Sequence, residues 1–322
     1  MIITRTPFRI SLAGGGTDFP EFYQQEFGCV VSTAINKFMY ITLNEKFAGD
    51  IRVGYSKTEI VQTPDEIQHP IVREAFKLLK VRGLEITSNA DVPAGTGLGS
   101  SGSFSVGLLN ALHIYRSSPV PAGELAKEAS HIERELAHEI TGKQDHYIAA
   151  FGGLRYFQFN PDESVSVDAI SYPHMSELEE NLMLAYIGPR TKSASSIQLE
   201  LKTNLRMDAL RELKGITLRL RAALIATEPP SVLGEVLNES WMIKREMASG
   251  ISNPTIDDYY DRALQAGAIG GKLCGAGAGG FLLLYCPKDK QEAVKEALGL
   301  RVLPFNFETR GSHVIYDNAR EP

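Results

Sequence analysis

Residues 93–103 read Pro-Ala-Gly-Thr-Gly-Leu-Gly-Ser-Ser-Gly-Ser and continue as FSVGLLNALHIY to Tyr115, joining a glycine- and serine-rich turn to a helical pattern. Phe104, Leu108, Leu112 and Tyr115 recur at the spacing of one helix face, so the turn opens a helix. At that end the first backbone N–H groups lack intrahelical partners and the helix dipole favours an anion. Glycines at 95, 97, 99 and 102 let backbone approach a phosphate, while Ser100, Ser101 and Ser103 offer hydroxyl donors or metal ligands. A nucleotide-phosphate cradle is the expectation, with a capped helix that holds nothing as the alternative. Gly97–Gly102 also fits GxGxxG, a pattern of little weight in a chain with 29 glycines. The common NTPase loop, GxxxxGK[ST], does not occur in the sequence.

Working outward, 322 residues allow one large or two ordinary domains with ample core material. A net charge of −6 without a dense Lys/Arg run argues against nucleic-acid binding but leaves room for a small anion held by local donors. Cys29, Cys274 and Cys286 show no CxxC spacing and leave an odd one over, so neither zinc nor a disulfide framework is indicated, and a cytoplasmic setting is simplest. No apolar run approaches a membrane span, and the N-terminus opens on a strand-like segment rather than a leader.

Residues 1–13 alternate as two short strand segments with a bend at Pro7, and Gly14-Gly15-Gly16-Thr17-Asp18 follows. Asp18 is either a carboxylate for hydroxyls or the N-cap of the next short helix. Arg9 is a surface charge or an anion or hydroxyl ligand. Strands are expected over 29–47, 51–63 and 84–90, and helices over 71–80 and 124–141. Glu133 stands on a small-residue flank of that last helix, as a boundary residue or as a metal or ligand carboxylate. Asp145 lies in a glycine-bracketed turn, where it could simply cap a short helix. The histidines 131, 138 and 146 lack metal spacing. A boundary near 170–180 divides the chain into 1–175 and 176–322. Beyond it, a strand at 182–187 leads to a loop whose Arg190 and Lys192 could meet a second phosphate or stay solvated. Helices over 198–227, 232–248 and 291–298 and strands at 281–285, 302–307 and 314–316 complete an α+β sandwich. Gly275, Gly277 and Gly280 repeat GxGxxG, but a strand rather than a helix follows, so the dinucleotide fingerprint fails.

Three glycine-rich segments thus stand in one order: PFRISLAGGGTDFP, PAGTGLGSSGSFS and KLCGAGAGGF. In this the chain resembles the GHMP kinases, the superfamily of galactokinase, homoserine kinase, mevalonate kinase and phosphomevalonate kinase. The GGGTD ending of the first motif and the GKQDHY segment are most like the D-glycero-D-manno-heptose 7-phosphate kinases, whereas galactokinases carry Gly-Glu-His-Thr-Asp at that ending. The resemblance implies a two-domain fold: an N-terminal α+β domain with a left-handed βαβ unit and a C-terminal ferredoxin-like domain, with the active site between. It implies ATP and Mg²⁺ as cofactors. The stretch Pro93, Gly95, Gly97, Leu98, Gly99, Ser100, Ser101, Gly102 and Ser103 would wrap the phosphates. Ser101, with Ser100 as competitor, and Glu133 would hold the metal. Asp145 would be the catalytic aspartate, and Arg9, like Asp18, matches a substrate-site position; if the two are close, Arg9 would also keep the Asp145 carboxylate ionised. Gly15, Gly16, Thr17 and Asp18 of the first motif, and Gly275 and Gly277 of the third, would line the substrate pocket. The implied reaction is phosphorylation of the anomeric hydroxyl of a heptose 7-phosphate to the 1,7-bisphosphate. Alternatives are an unphosphorylated sugar such as fucose, or a non-catalytic ligand-binding relative.

Overall fold

In the structure, a computed structural model that describes residues 1–318, the spine is a pair of long antiparallel strands, β1 (Ile2–Ala13) and β2 (Gly28–Glu45). β1 is continuous rather than broken at Pro7. The pairing with β2 shifts between Pro7 and Phe8, and that bulge accommodates a residue that cannot donate to the ladder. The free edge of β2 is shared: β5 (Leu84–Ala90) pairs residues 39–45 and β6 (Leu154–Phe159) pairs residues 28–33. β3 (Ile51–Gly54) runs parallel to β5, with β4 (Thr58–Val61) beyond it, and β7 (Val165–Ala169) borders β6. The eighth strand of this sheet is β12 (His313–Asp317), which pairs with β1.

The opening stretch folds as read, strand then glycine turn then helix, since β5 leads through the turn into α3 (Ser100–Tyr115). α3 packs on β1 and β2, with α5 (Gln144–Phe151) beside it. It is buried on nearly every side, so its apolar face is wider than the single stripe the spacing predicts. Thr4 Oγ1 donates to the carbonyl of Gly107 at 2.9 Å, and a Cβ at Gly107 would fall 2.7 Å from Thr6 Oγ1, so glycine there lets the helix settle onto β1. Around these lie α1 (Pro20–Tyr23), α2 (Pro70–Leu79) and α4 (Ala122–His131).

After α6 (Met175–Glu180), the second half holds a four-stranded antiparallel sheet in the order β11-β8-β10-β9. β8 is Leu182–Gly188, β9 Gly270–Leu273, β10 Gly280–Tyr285 and β11 Arg301–Val302. Between β8 and β9 run α7 (Ala194–Thr203), α8 (Met207–Ile225), α9 (Val232–Lys244) and α10 (Pro254–Gln265), and α11 (Gln291–Leu298) links β10 to β11. Strand, helices, two strands, helix, strand in this order is the ferredoxin-like plan.

Three expectations are corrected here. The helix predicted over 198–227 is two, α7 and α8, parted at residues 204–206. The strand predicted over 302–307 shortens to β11, with Phe307 only bridging to Ile35. The division at 175/176 is crossed by β12, which returns to the first sheet. Among the described residues, no helix is long and apolar enough to cross a membrane.

Candidate active site

The glycine turn holds its shape because Gly95, Gly97 and Gly99 all take positive φ, between 77° and 91°, where a side chain would be strained. Gly99 stands at the N-cap of α3 and no side chain caps the helix, so its first N–H groups are left for a ligand. Gly95, Gly97, Gly99, Ser100 and Ser101 face a cavity of about 740 Å³ between the two halves. The third glycine segment braces the turn from behind. Phe281 N–H donates to the Thr96 carbonyl at 3.2 Å, and Cβ atoms at Gly97 and Gly280 would lie 2.4 Å from the Cys274 oxygen and 2.3 Å from the Thr96 oxygen. Exchange of Gly97 for alanine is therefore expected to displace the turn, lower the melting temperature by the equivalent of about 1–3 kcal/mol, and raise the KM for nucleotide. Calorimetry with an ATP titration checks it; unchanged nucleotide affinity would mean the turn holds something else.

Other members of the turn act behind the cavity wall. Leu98 is 1% exposed and serves as an anchor, with its carbonyl accepting from Arg9 N–H at 3.0 Å. Ser103 Oγ donates to the Pro7 carbonyl at 2.7 Å rather than facing a ligand. At Gly102 a Cβ would fall 2.7 Å from the Asp145 Cβ, so glycine there lets α3 and α5 touch. The Pro93 carbonyl accepts from Thr96 Oγ1 at 3.0 Å and closes the turn.

Arg9, from β1, meets Asp145, from the first turn of α5, as a two-pronged pair: Nε to Oδ1 at 2.7 Å and Nη2 to Oδ2 at 2.9 Å. Its third nitrogen, Nη1, donates to the Gly97 carbonyl at 2.5 Å, so one guanidinium ties the carboxylate to the glycine turn. Arg9 is 5% exposed, which settles its open reading against a surface charge. Asp18 is not the N-cap of α1, which starts from Phe19. It is buried, accepts from the N–H groups of Gly16 at 3.0 Å and Gln144 at 3.1 Å, and lines the cavity. Burial pushes its carboxyl pKa up, the two N–H groups offset part of this, and the nearby Asp145 charge adds to it. Gly142 is required beside it, since a Cβ there would lie 2.0 Å from Asp18 Oδ2.

Glu133 reads differently in space than in sequence. α4 ends at His131 and a π turn, Ile132–Leu136, follows, so the predicted helix to 141 stops early. The widened turn carries Glu133 inward. It is 3% exposed and accepts from Ser101 Oγ, from Ser105 Oγ at 2.9 Å and, at 2.8 Å, from His146 Nε2. Burial pushes its pKa up, but the charge and hydrogen bond of His146 and the two hydroxyls outweigh it and hold the carboxyl below its ordinary range. Sequence spacing offers no sign of His146 as a partner of Glu133, because the link depends on how α5 docks.

Among the described residues no three His, Cys, Asp or Glu side chains converge as a metal cage. The oxygen-only pair of Ser101 and Glu133 beside an uncapped helix start suits Mg²⁺, which keeps waters and takes one or two protein ligands together with nucleotide phosphates. At the other side of the turn Tyr55, His69 and Phe104 line the cavity. The His69 ring stacks on Phe104 and meets Tyr55 edge-on, each with centroids 4.9 Å apart.

Residues 69–153 match the family model of the GHMP kinases N-terminal domain and residues 221–302 that of the GHMP kinases C-terminal domain. A D-glycero-alpha-D-manno-heptose 7-phosphate kinase of Campylobacter jejuni is 30% identical, over 96% of this chain and 97% of that one. The chain belongs to the GHMP kinases. A galactokinase of Pyrococcus furiosus is 24% identical over 98% of this chain and 97% of its own length. Among solved structures, a D-glycero-D-manno-heptose 1-phosphate kinase from Bacteroides thetaiotaomicron superposes with a TM-score of 0.80 at 25% identity, covering 98% of this chain and 100% of that one. As a GHMP kinase with sugar-kinase relatives, the chain is an ATP-dependent phosphotransferase acting on sugars.

Among the residues expected to line a substrate pocket, three depart from the sequence reading. Lys192 turns away from the cavity, donating to Glu200 at 2.7 Å and to the Ser249 carbonyl at 3.1 Å. Thr17 is fully buried, its hydroxyl donating to the carbonyls of Gly14 and Cys29. Gly277 packs on Ile251, whose Cα would meet its Cβ at 2.8 Å, while Gly275 faces the cavity. Gly15, Gly16 and Arg190 line the cavity. Two residues that sequence reasoning passed over join them: Lys244, at the end of α9, and Lys272, in β9.

Proposed function

We propose that this kinase transfers the γ-phosphoryl group of Mg-ATP to the anomeric hydroxyl of D-glycero-D-manno-heptose 7-phosphate, giving the 1,7-bisphosphate. The observation that carries this reading is the Arg9–Asp145 pair, held against the Gly97 carbonyl on one side and opening to the Asp18-lined cavity on the other. The full-length likeness to a heptose 7-phosphate kinase supports the choice of sugar.

In this mechanism the uncapped N–H groups of α3 and the Ser100 hydroxyl bind the β- and γ-phosphate oxygens. Ser101 and Glu133 would hold Mg²⁺, which supplies charge neutralisation on the transferred group. Asp145 accepts the proton of the anomeric hydroxyl as that oxygen forms its bond to the γ-phosphorus and the bond from phosphorus to the β-phosphate oxygen breaks, releasing ADP. Arg9 holds both Asp145 oxygens in place and fixes their distance from the turn. Asp18, with its carboxyl oriented by two backbone N–H groups, accepts hydrogen bonds from sugar hydroxyls. His146 orients Glu133 from behind.

A coupled ADP-release assay over heptose 7-phosphate, free heptose, fucose, galactose and mannose tests the reading, with the product identified by phosphorus NMR. The expected result is preferential turnover of heptose 7-phosphate and a new anomeric phosphate signal. Faster turnover of a free sugar, or transfer to another hydroxyl, overturns it.

A further inference from the structure

The sugar end of the cavity carries a cluster of cations with no counter-ion. Lys244, Lys272 and Arg190 all line it, and among the described residues none of the three forms an ion pair with a carboxylate. Lys272 is 5% exposed, and its ammonium group donates to the Leu12 carbonyl at 3.2 Å, at the end of β1. Lys244 donates to the Gly275 carbonyl at 2.5 Å. Arg190 is adjacent, because a Cβ at Gly275 would lie 2.6 Å from its Nη2, and its buried Nε has no partner. Ser240 Oγ, which also faces the cavity, is buried and unpartnered too.

Such a cluster is costly when empty. Burial, then the charges of Lys244 and Arg9, pull Lys272 down to about 7, with Cys274 acting the other way. Burial, then Arg9 and Arg190, bring Lys244 to about 8, with Cys274 and Asp18 opposing. Cations taken out of water without a counter-charge are destabilising, and function is the usual reason for keeping them. A neutral sugar offers them hydroxyl acceptors but no counter-charge; a phosphate dianion offers both.

We infer that Lys244, Lys272 and Arg190 form a subsite for a phosphate already present on the acceptor, and that this subsite makes the enzyme select phosphorylated over free sugars. The inference rests on the proposed function, in which Asp145 and Asp18 mark the acceptor side of the cavity. It adds which residues read the acceptor's far end. Arg190 reaches the subsite from the loop after β8, Lys244 from α9 and Lys272 from β9, so the phosphate is gripped by the second half while Asp145 acts from the first.

The test pairs Lys272→Met and Lys244→Met, which keep the aliphatic stems, with two acceptors, heptose 7-phosphate and free heptose. The expected result is a fall of about 100-fold or more in kcat/KM for the phosphorylated sugar. The free sugar should change by no more than a few-fold, as should the KM for ATP. Inorganic phosphate should compete with the sugar phosphate in the wild type and lose that competition in both variants. Melting temperatures should hold or rise, since a buried unpaired cation is removed, which separates this outcome from misfolding. An equal fall with both acceptors, a raised KM for ATP, or no change overturns the subsite. If the wild type instead prefers another acceptor, the heptose reading fails, and competition between inorganic phosphate and that acceptor still decides the subsite.

Discussion

Asp145→Asn is expected to lower turnover about 10²–10⁴-fold, the range contributed by a positioned general base, while leaving nucleotide binding within a few-fold of wild type. The asparagine keeps the side-chain shape and can retain one oxygen toward Arg9, but it cannot take a proton from the sugar hydroxyl. The nucleotide would be held by the glycine turn and the start of α3, which Asp145 meets through its packing on Gly102 and through the Arg9 bond to the Gly97 carbonyl. Single-turnover rates with enzyme in excess over ATP and sugar saturating, alongside titration of a fluorescent ATP analogue, separate the two effects. Full turnover would move the base elsewhere, and loss of nucleotide binding would make the Arg9–Asp145 pair a structural tie.

Glu133→Gln is expected to act on the metal instead. Among the described residues its carboxylate is the one acidic group hydrogen-bonded to the Ser101 hydroxyl, and an amide offers the metal a neutral oxygen in place of a charged one. The kcat/KM for Mg-ATP should fall about 100-fold, close to 2.7 kcal/mol of lost stabilisation, with the Mg²⁺ concentration for half-maximal rate shifted upward. Rates measured across free Mg²⁺ at saturating sugar, together with Mn²⁺ binding followed by electron paramagnetic resonance in the presence of ATP, give two readouts. Wild-type metal dependence in both would remove Glu133 from the metal shell and leave it as a buried partner of His146.

The fold's centre was legible because its signals are local. The glycine turn, the helix to Tyr115 and the strand before it follow from composition and spacing within a single window. α10, which the sequence reading left unassigned, had a local signal as well, since Asn253 caps Ile256 N–H at 3.0 Å just before Pro254, with Ile256, Tyr260 and Ala263 buried behind it. Other parts had none. β9 is Gly-Gly-Lys-Leu, too short and too glycine-rich to read as a strand, so its lysine passed as part of a loop. Lys244 reads as an ordinary basic residue in the last turn of a helix, where it complements the dipole. Glu133 was displaced by a π turn, which a 3.6-residue period does not anticipate. Lys192 and Arg190 are equivalent in sequence, and only the position of Glu200 on α7 draws one of them away.

The return of β12 to β1 has a mechanical consequence. The half that carries Lys244, Lys272 and Arg190 leaves the first sheet after β7 and is fastened to it again where Ile2 pairs with Asp317. A body held by one strand can swivel; a body clamped at both ends can only rock. Two chain crossings, the second of them anchored by the Ile35–Phe307 bridge and by the pairing of β12 with β1, leave the second half fewer ways to turn about the first than a single linker would.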